Sequence, residues 1–488
     1  MAMKEEADLR AFFERLFHVD RIVPQHHRKG ELPSAKQAYD DVLRIALPSI
    51  AEMVLMSLIG SVDTIMVGQL GKNALAAVAL PGQPRMIMMS VFFAMNVGVT
   101  AIVARRKGEG RQADANLTLR NAIMLVAALS VVIMTAVLIL SEPLMRLSGG
   151  NTNTLDDAEV LRGAISYFQI MAWGLPITAV SMCINAAMRG VGNTKITLQV
   201  NIVSNLVNVV FNYLLIGGNF GFPRLEVAGA AIASVIGITA GAIMSFVAVM
   251  HGGNSYLHLS RYDKWRVDKP TMRGILKVGG NAMIEQLSLR FGFFFYSRIT
   301  YSLGVTLFAA HNIAMQFLNI TFSLADGTAI AATSLVGQQL GAGRPDKSLM
   351  YGKLSYRLAL MISAVIGLFL VLFRYPLSGL FIDANTPQAD VVIHAAAQTM
   401  LVVALMQPFQ MGSVVLSGCL RGAGDNLFVA GVMGVCVSII RPIMAVLAVN
   451  VFHFGLALTW LFSLSEIIIR SVMFGRRFSS GKWMDKKV

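Results

Sequence analysis

The stretches TAIVARRKGEGR (residues 100–111) and TSLVGQQLGAGR (residues 333–344) carry Thr, Val, Gly, Gly and Arg at the same spacing, 233 residues apart. Outward from this match, the same offset aligns Glu52 with Glu285, Leu70-Gly71 with Leu303-Gly304, Ala76-Ala77 with Ala309-Ala310 and Pro143-Leu144 with Pro376-Leu377. A slip to 232 then pairs Pro176 with Pro408 and Arg189-Gly190-x-Gly192 with Arg421-Gly422-x-Gly424. Shared apolar composition does not produce such matches, because Arg, Glu, Pro and Gly carry them. The chain is a tandem repeat of two like halves.

Composition says where the halves sit. Of 488 residues 55% are hydrophobic and only 14% charged, and the mean hydropathy is +0.62. Soluble domains carry about a quarter charged residues. Apolar runs long enough to cross a bilayer are read at 42–69, 75–104, 118–140, 160–188, 194–217, 227–250, 274–302, 306–337, 349–373, 390–419, 426–450 and 455–475. The expectation is an all-α integral membrane protein of twelve transmembrane helices in two six-helix bundles. Six is even, so both bundles share one orientation and a pseudo-twofold axis along the membrane normal relates them.

The predicted segments are 1–40 (N-terminal), 41–250 (first lobe), 251–273 (linker), 274–475 (second lobe) and 476–488 (tail). Nineteen Lys and Arg, from Arg105 to Lys487, fall in the loops and tail of one face; Lys72, Arg146, Arg162, Arg224 and Arg374 are the five on the other. That bias places both termini in the cytoplasm and accounts for the net charge of +14 without nucleic acid. Leu9, Phe12, Phe13, Leu16 and Phe17 are spaced for an amphipathic surface helix. Three scattered cysteines offer neither a disulfide framework nor a metal site. No polar tract is long enough for a soluble catalytic domain, and no Walker A loop, HExxH or GxSxG is present.

Ionisable groups inside spans are functional candidates, because each costs free energy unless paired or hydrated. Asp63 stands in span 1, about two turns from its outer end. Span 5 carries Asn201, Asn205, Asn208 and Asn212, spaced four, three and four apart and so on one face. Their counterparts in the second half are Met433, Val437, Ile440 and Met444, and Tyr296 is the counterpart of Asp63. A polar set is thus confined to the first half. Carboxylate and amide oxygens together suit Na⁺, whereas a buried carboxyl suits a proton.

Glu52 and Glu285, the repeat-matched pair, either hydrogen-bond neighbouring backbone or face a cleft and attract cations. Arg290, Arg298, Asp326 and Arg441 are further intramembrane charges. Glu466 and Arg470 are spaced for an intrahelical pair, and His311 reads as a packing residue. Pro48, Pro176 and the Pro81-Gly-x-Pro84 segment mark candidate kinks.

The chain resembles the multidrug and toxic compound extrusion (MATE) family. The likeness is carried by Val62-Asp63-Thr-Ile-Met-Val-Gly68 with Leu70-Gly71, by Ala309-Ala-His-Asn-Ile313, by Ala332-Thr-Ser-Leu-Val-Gly-Gln-Gln-Leu-Gly-Ala-Gly343 and by Leu420-Arg-Gly-Ala-Gly-Asp425. The resemblance implies an inner-membrane antiporter expelling cationic amphipathic drugs and dyes against inward H⁺ or Na⁺. No other cofactor, no nucleic acid and no enzyme activity is expected. Small organic cations and membrane lipids are the expected partners of a monomer.

Asp63 matches the family's first-helix coupling aspartate. The implied coupling set is Asp63, Asn208, Asn212, Asn185 and Ser234, with Na⁺ a candidate at Asp63, Asn208 and Asn212. Substrate or cleft candidates are Glu52, Glu285, Asn205, Tyr296, Gln410 and Asp326. Asn212 stands where some members have Asp, and Gln410 where members with a second-lobe cation site often do. Glu285 sits about one turn from the acidic residue such members place in helix 7. First-lobe coupling is therefore favoured over a second-lobe metal site. Export or flipping of a lipid-linked or natural metabolite is the alternative, and a membrane-embedded transferase a remote one.

Overall fold

The computed structural model describes residues 22–23, 25, 28–251, 256–260, 262–382 and 388–486, with the backbone alone at 58, 59 and 61. The anticipated surface helix over Leu9 to Phe17 lies outside the described residues. Among those described, twelve helices follow one another: α1 (Ala35–Gly68), α2 (Lys72–Gly108), α3 (Gln112–Leu147), α4 (Leu155–Gly190), α5 (Thr194–Gly217), α6 (Glu226–Met250), α7 (Lys269–Tyr301), α8 (Val305–Gly341), α9 (Pro345–Gly379), α10 (Ala389–Ala423), α11 (Asn426–Val451) and α12 (Leu456–Ser479). Ten of these are long and apolar enough to cross a membrane singly.

The other two are instructive. α4 passes as two pieces, Leu155–Trp173 and Leu175–Gly190, bent by 51°. Pro176 opens the second piece, where its missing N–H costs nothing, and a Cβ on Gly174 would run into Val235. α7, a span expected from its sequence, carries Arg273, Lys277, Glu285, Arg290 and Arg298, which set it below the other ten in hydropathy. It is one because it packs as its repeat partner α1 does. α1 lies against α5 and across the lobes against α8; α7 lies against α11 and across the lobes against α2. That exchange is the expected pseudo-twofold relation.

The repeat glycines are where backbones meet. A Cβ on Gly190 would strike Thr100 O in α2, and one on Gly422 would strike Thr333 O in α8. Both are contacts within a lobe. Gly108 and Gly341 serve the seam between lobes: a Cβ on the first would strike Gln338 O, and on the second Arg105 O. Ser334 Oγ and Gln338 Nε2 both donate to Gly190 O, at 3.0 and 2.9 Å, closing the seam at the face that carries the basic loops.

The segment before α1 and the first turns of α1 itself pack on the other lobe. Ile22, Val23, Ala38, Val42 and Ile45 form one buried cluster with Leu335, Met350, Tyr351 and Leu354 of α8 and α9. Lys29 N donates to Asp346 at 3.1 Å, Arg344 Nη2 to Glu31 O at 3.0 Å and Tyr351 Oη to Asp41 at 2.5 Å. The tail returns the contact, with Arg105 Nη1 donating to Lys486 O at 3.1 Å.

Candidate functional site

Asp63 lies in the last turn and a half of α1. α5 runs beside α1, and the asparagine stripe is divided between two carboxylates. Asn201 Nδ2 donates to Glu52 Oε1 at 2.8 Å and Asn212 Nδ2 to Asp63 Oδ1 at 2.7 Å, both across an offset of 149 residues. An equal offset at two points means the helices run parallel and in register. Asn208 Oδ1 accepts from Asn212 Nδ2 at 3.3 Å, while its own amide nitrogen donates to Ser234 Oγ of α6 at 3.3 Å. Turned over, the Asn208 amide does better: nitrogen to Asp63 Oδ1 at 2.8 Å, oxygen accepting from Ser234 Oγ at 3.3 Å and Ser234 N at 3.2 Å. Asn208 and Asn212 are buried, and Asn212 Oδ1 has no hydrogen-bond partner.

Asp63, Asn208, Asn212 and Ser234 thus come together in one cluster. Asn185 does not join them. It accepts from Ser245 Oγ at 3.1 Å near the opposite ends of α4 and α6. Asn205 lies half-buried on α5 between the two carboxylate clusters. Arg85 of α2, which the reading of the sequence passed over, is within electrostatic range of Asp63 and hydrogen-bonded to Tyr167 of α4. The available signal was an arginine just after the Pro81-Gly-x-Pro84 kink.

Glu52 is closed off from any cleft. Its carboxylate takes Arg189 Nη1 at 3.1 Å, Thr197 Oγ1 at 2.7 Å and Asn201 Nδ2, and only 1% of the residue is exposed. Glu285 takes Arg421 Nη1 at 2.7 Å, and lines a cavity of about 700 Å³ walled by the second lobe and, at one side, by Gln83 of α2. Asp326, Tyr296 and Gln410 line the same cavity, with His311, Arg290 and Arg470. Gln410 Oε1 accepts from Arg470 Nη2 at 2.8 Å. Glu466 pairs more tightly with Arg441, at 2.8 Å, than with Arg470 one turn along, at 3.5 Å. His311 is buried and accepts from Trp460 Nε1 at 3.2 Å, a packing role. Among the described residues no three His, Cys, Asp or Glu side chains converge as metal ligands.

Comparison with known proteins agrees with this architecture. A family model described as MatE matches residues 48–214 and 282–447, one block in each lobe. A "Probable multidrug resistance protein NorM" of Thermotoga maritima is 27% identical over 461 residues, 94% of this chain and 96% of that protein. "Multidrug resistance protein MdtK" of Yersinia enterocolitica is 27% identical over 392 residues, covering 79% of this chain and 82% of that one. A solved structure described as the outward-facing conformation of a multidrug resistance MATE family transporter superposes with a TM-score of 0.83 at 20% identity, covering 91% of this chain and 97% of that one.

Proposed function

The chain belongs to the MatE family, and on that premise we propose that this membrane transporter exports cationic amphipathic drugs and dyes in exchange for an inward ion bound at Asp63. It acts as a monomer in the inner membrane with both termini cytoplasmic. Multidrug relatives along nearly the whole chain support the substrate class. A single observation carries the coupling site: Asp63 and two asparagines of α5 form one half-buried cluster, and the repeat has no counterpart for it in the second lobe.

The coupling ion is H⁺ or Na⁺: a half-buried carboxylate can take up a proton, and the same carboxylate with amide oxygens turned toward it can coordinate sodium. Binding at Asp63 cancels its charge, loosens α1 from α5 and releases the cationic substrate outward. A second reading, export or flipping of a lipid-linked or natural metabolite, draws on Arg290. That arginine lines the second-lobe cavity with no carboxylate partner among the described residues.

The test is dye efflux from liposomes containing purified protein, wild type against Asp63→Asn, under separate proton and sodium gradients. Efflux driven by one gradient and lost in a folded variant supports coupling at Asp63 and names the ion. Equal transport by the variant removes Asp63 from the mechanism. No dye movement by wild type under either gradient moves the assignment to the metabolite reading.

A further inference from the structure

The basic side chains at the seam face fall into two sets. Most are tied to the protein: Arg106 to Asp114 O and Thr271, Lys107 to Val191 O, Arg344 to Asp346, Arg477 to Asp425 and Arg189 to Glu52. Of the remainder, three lie together in the first turns of α7. Lys269, Arg273 and Lys277 are spaced four apart and therefore stack along one face for roughly 12 Å. All three are exposed, and none has an ion-pair partner among the described residues. The nearby carboxylates are engaged elsewhere, Asp263 with Arg120 at 2.6 Å and Asp268 with Thr271 N at 3.0 Å.

These three cations line a groove of about 720 Å³ whose remaining walls are Val267, Met272 and Leu276. Trp265, just outside it, is 46% exposed, as indoles at a membrane–water boundary are. A cationic stripe over an apolar floor fits a molecule with a phosphate at one end and hydrocarbon at the other. We propose that this groove is a binding site for an anionic glycerophospholipid, its phosphate held by Lys269, Arg273 and Lys277 and its upper acyl chains against Val267 and Leu276. The occupied groove bears on the seam, because the opposite side of the same turns packs on α2 through Arg106–Thr271 and through Gly98, whose Cβ would meet Ile275 O.

The test uses the full chain, purified and titrated with phosphatidylglycerol or phosphatidylcholine, with retained lipid counted by native mass spectrometry. A Lys269→Gln, Arg273→Gln, Lys277→Gln variant is compared with a Lys36→Gln, Lys195→Gln, Lys482→Gln control of equal charge. All six side chains are exposed, so both variants should fold, and matched thermal unfolding checks it. Expected is a saturable phosphatidylglycerol site, absent for phosphatidylcholine, weakened more than tenfold in the α7 variant and intact in the control. Equal weakening in both variants means diffuse surface attraction and overturns the site. Displacement by soluble glycerophosphate at equal concentration overturns it too, since the acyl chains then contribute nothing. No saturable binding by wild type is the third overturning result.

Discussion

Arg189 Nη1 lies 3.1 Å from Glu52 Oε1, and in the second lobe their repeat counterparts Arg421 and Glu285 lie 2.7 Å apart. The duplicated glutamates and the duplicated Arg-Gly-x-Gly motifs are thus two halves of one ion pair, made once in each lobe between its first and fourth helices. The copies differ in what surrounds them. Glu52 also takes Thr197 and Asn201, whereas Val429 and Met433 stand at the matching places and leave Glu285 facing the cavity.

Removing one member of a buried pair strands the other. Glu52→Ala should cost about 3 kcal/mol, whereas Glu52→Gln, which keeps hydrogen bonds to Thr197 and Asn201, should cost less. Glu285→Ala should cost less than Glu52→Ala, because cavity water can hydrate Arg421. Thermal unfolding in detergent ranks the three variants; an equal loss for Glu285→Ala contradicts the asymmetry.

Gly341→Ala should force the seam apart. The added methyl meets Arg105 O, and overpacking of this kind costs about 1–3 kcal/mol. The expected outcome is faster thiol labelling of a cysteine introduced at Ser334. Gly68→Ala is the control, since nothing lies within 4 Å of a Cβ there, and it should label as slowly as its parent.

Arg85→Gln should lower dye efflux roughly three- to tenfold, about 1 kcal/mol, without abolishing it. The guanidinium lies within electrostatic range of Asp63 and beside Tyr167, but it does not itself carry the coupling ion. Efflux as low as that of Asp63→Asn would place Arg85 in the coupling step instead.

Asp268 caps α7 from outside the membrane. Hydrogen bonds from the Thr271 side chain and backbone hold its carboxyl below the ordinary 3.8. A depressed folded value means the cap contributes stability above the unfolded value and loses it as pH falls through the folded one. Asp268→Ala should therefore cost about 1 kcal/mol near neutral pH, and the gap to wild type should narrow below pH 3.8. Melting curves at the two pH values decide it; a constant gap refutes the charged cap.

Local properties of the chain were enough for much of this. Apolar runs and loop charges place twelve spans, and the 233-residue match divides them into two lobes. Asp63 and the α5 stripe were legible because a helix of known pitch puts Asn208 and Asn212 on one face. What escaped needed a second element at an unknown angle. The Glu52–Arg189 pair requires the end of α4 to arrive over α1, and Arg85, just past the break in α2 at Leu80–Pro81, comes near Asp63 only through the packing of α2 beside α1. Asn185 was assigned to the coupling set by likeness alone, yet its depth in α4 sets it near the other end of the bundle. Arg470 keeps the pair with Glu466 that the spacing predicts, at 3.5 Å, and adds Gln410 at 2.8 Å, a contact set by the packing of α12 on α10.

The segment preceding α1 has a consequence for how the chain is made. Its partner surface on α9 is encoded far downstream: Ile22 O accepts from Lys353 Nζ, 331 residues along the chain. At about 5–20 residues per second of synthesis, Ile22 and Val23 wait on the order of half a minute before Met350 and Leu354 exist to receive them. The first lobe must therefore be inserted with this segment undocked and its apolar side chains unsatisfied. Docking is a late event in biogenesis, and a nascent chain stalled before α9 would display this segment to chaperones or proteases.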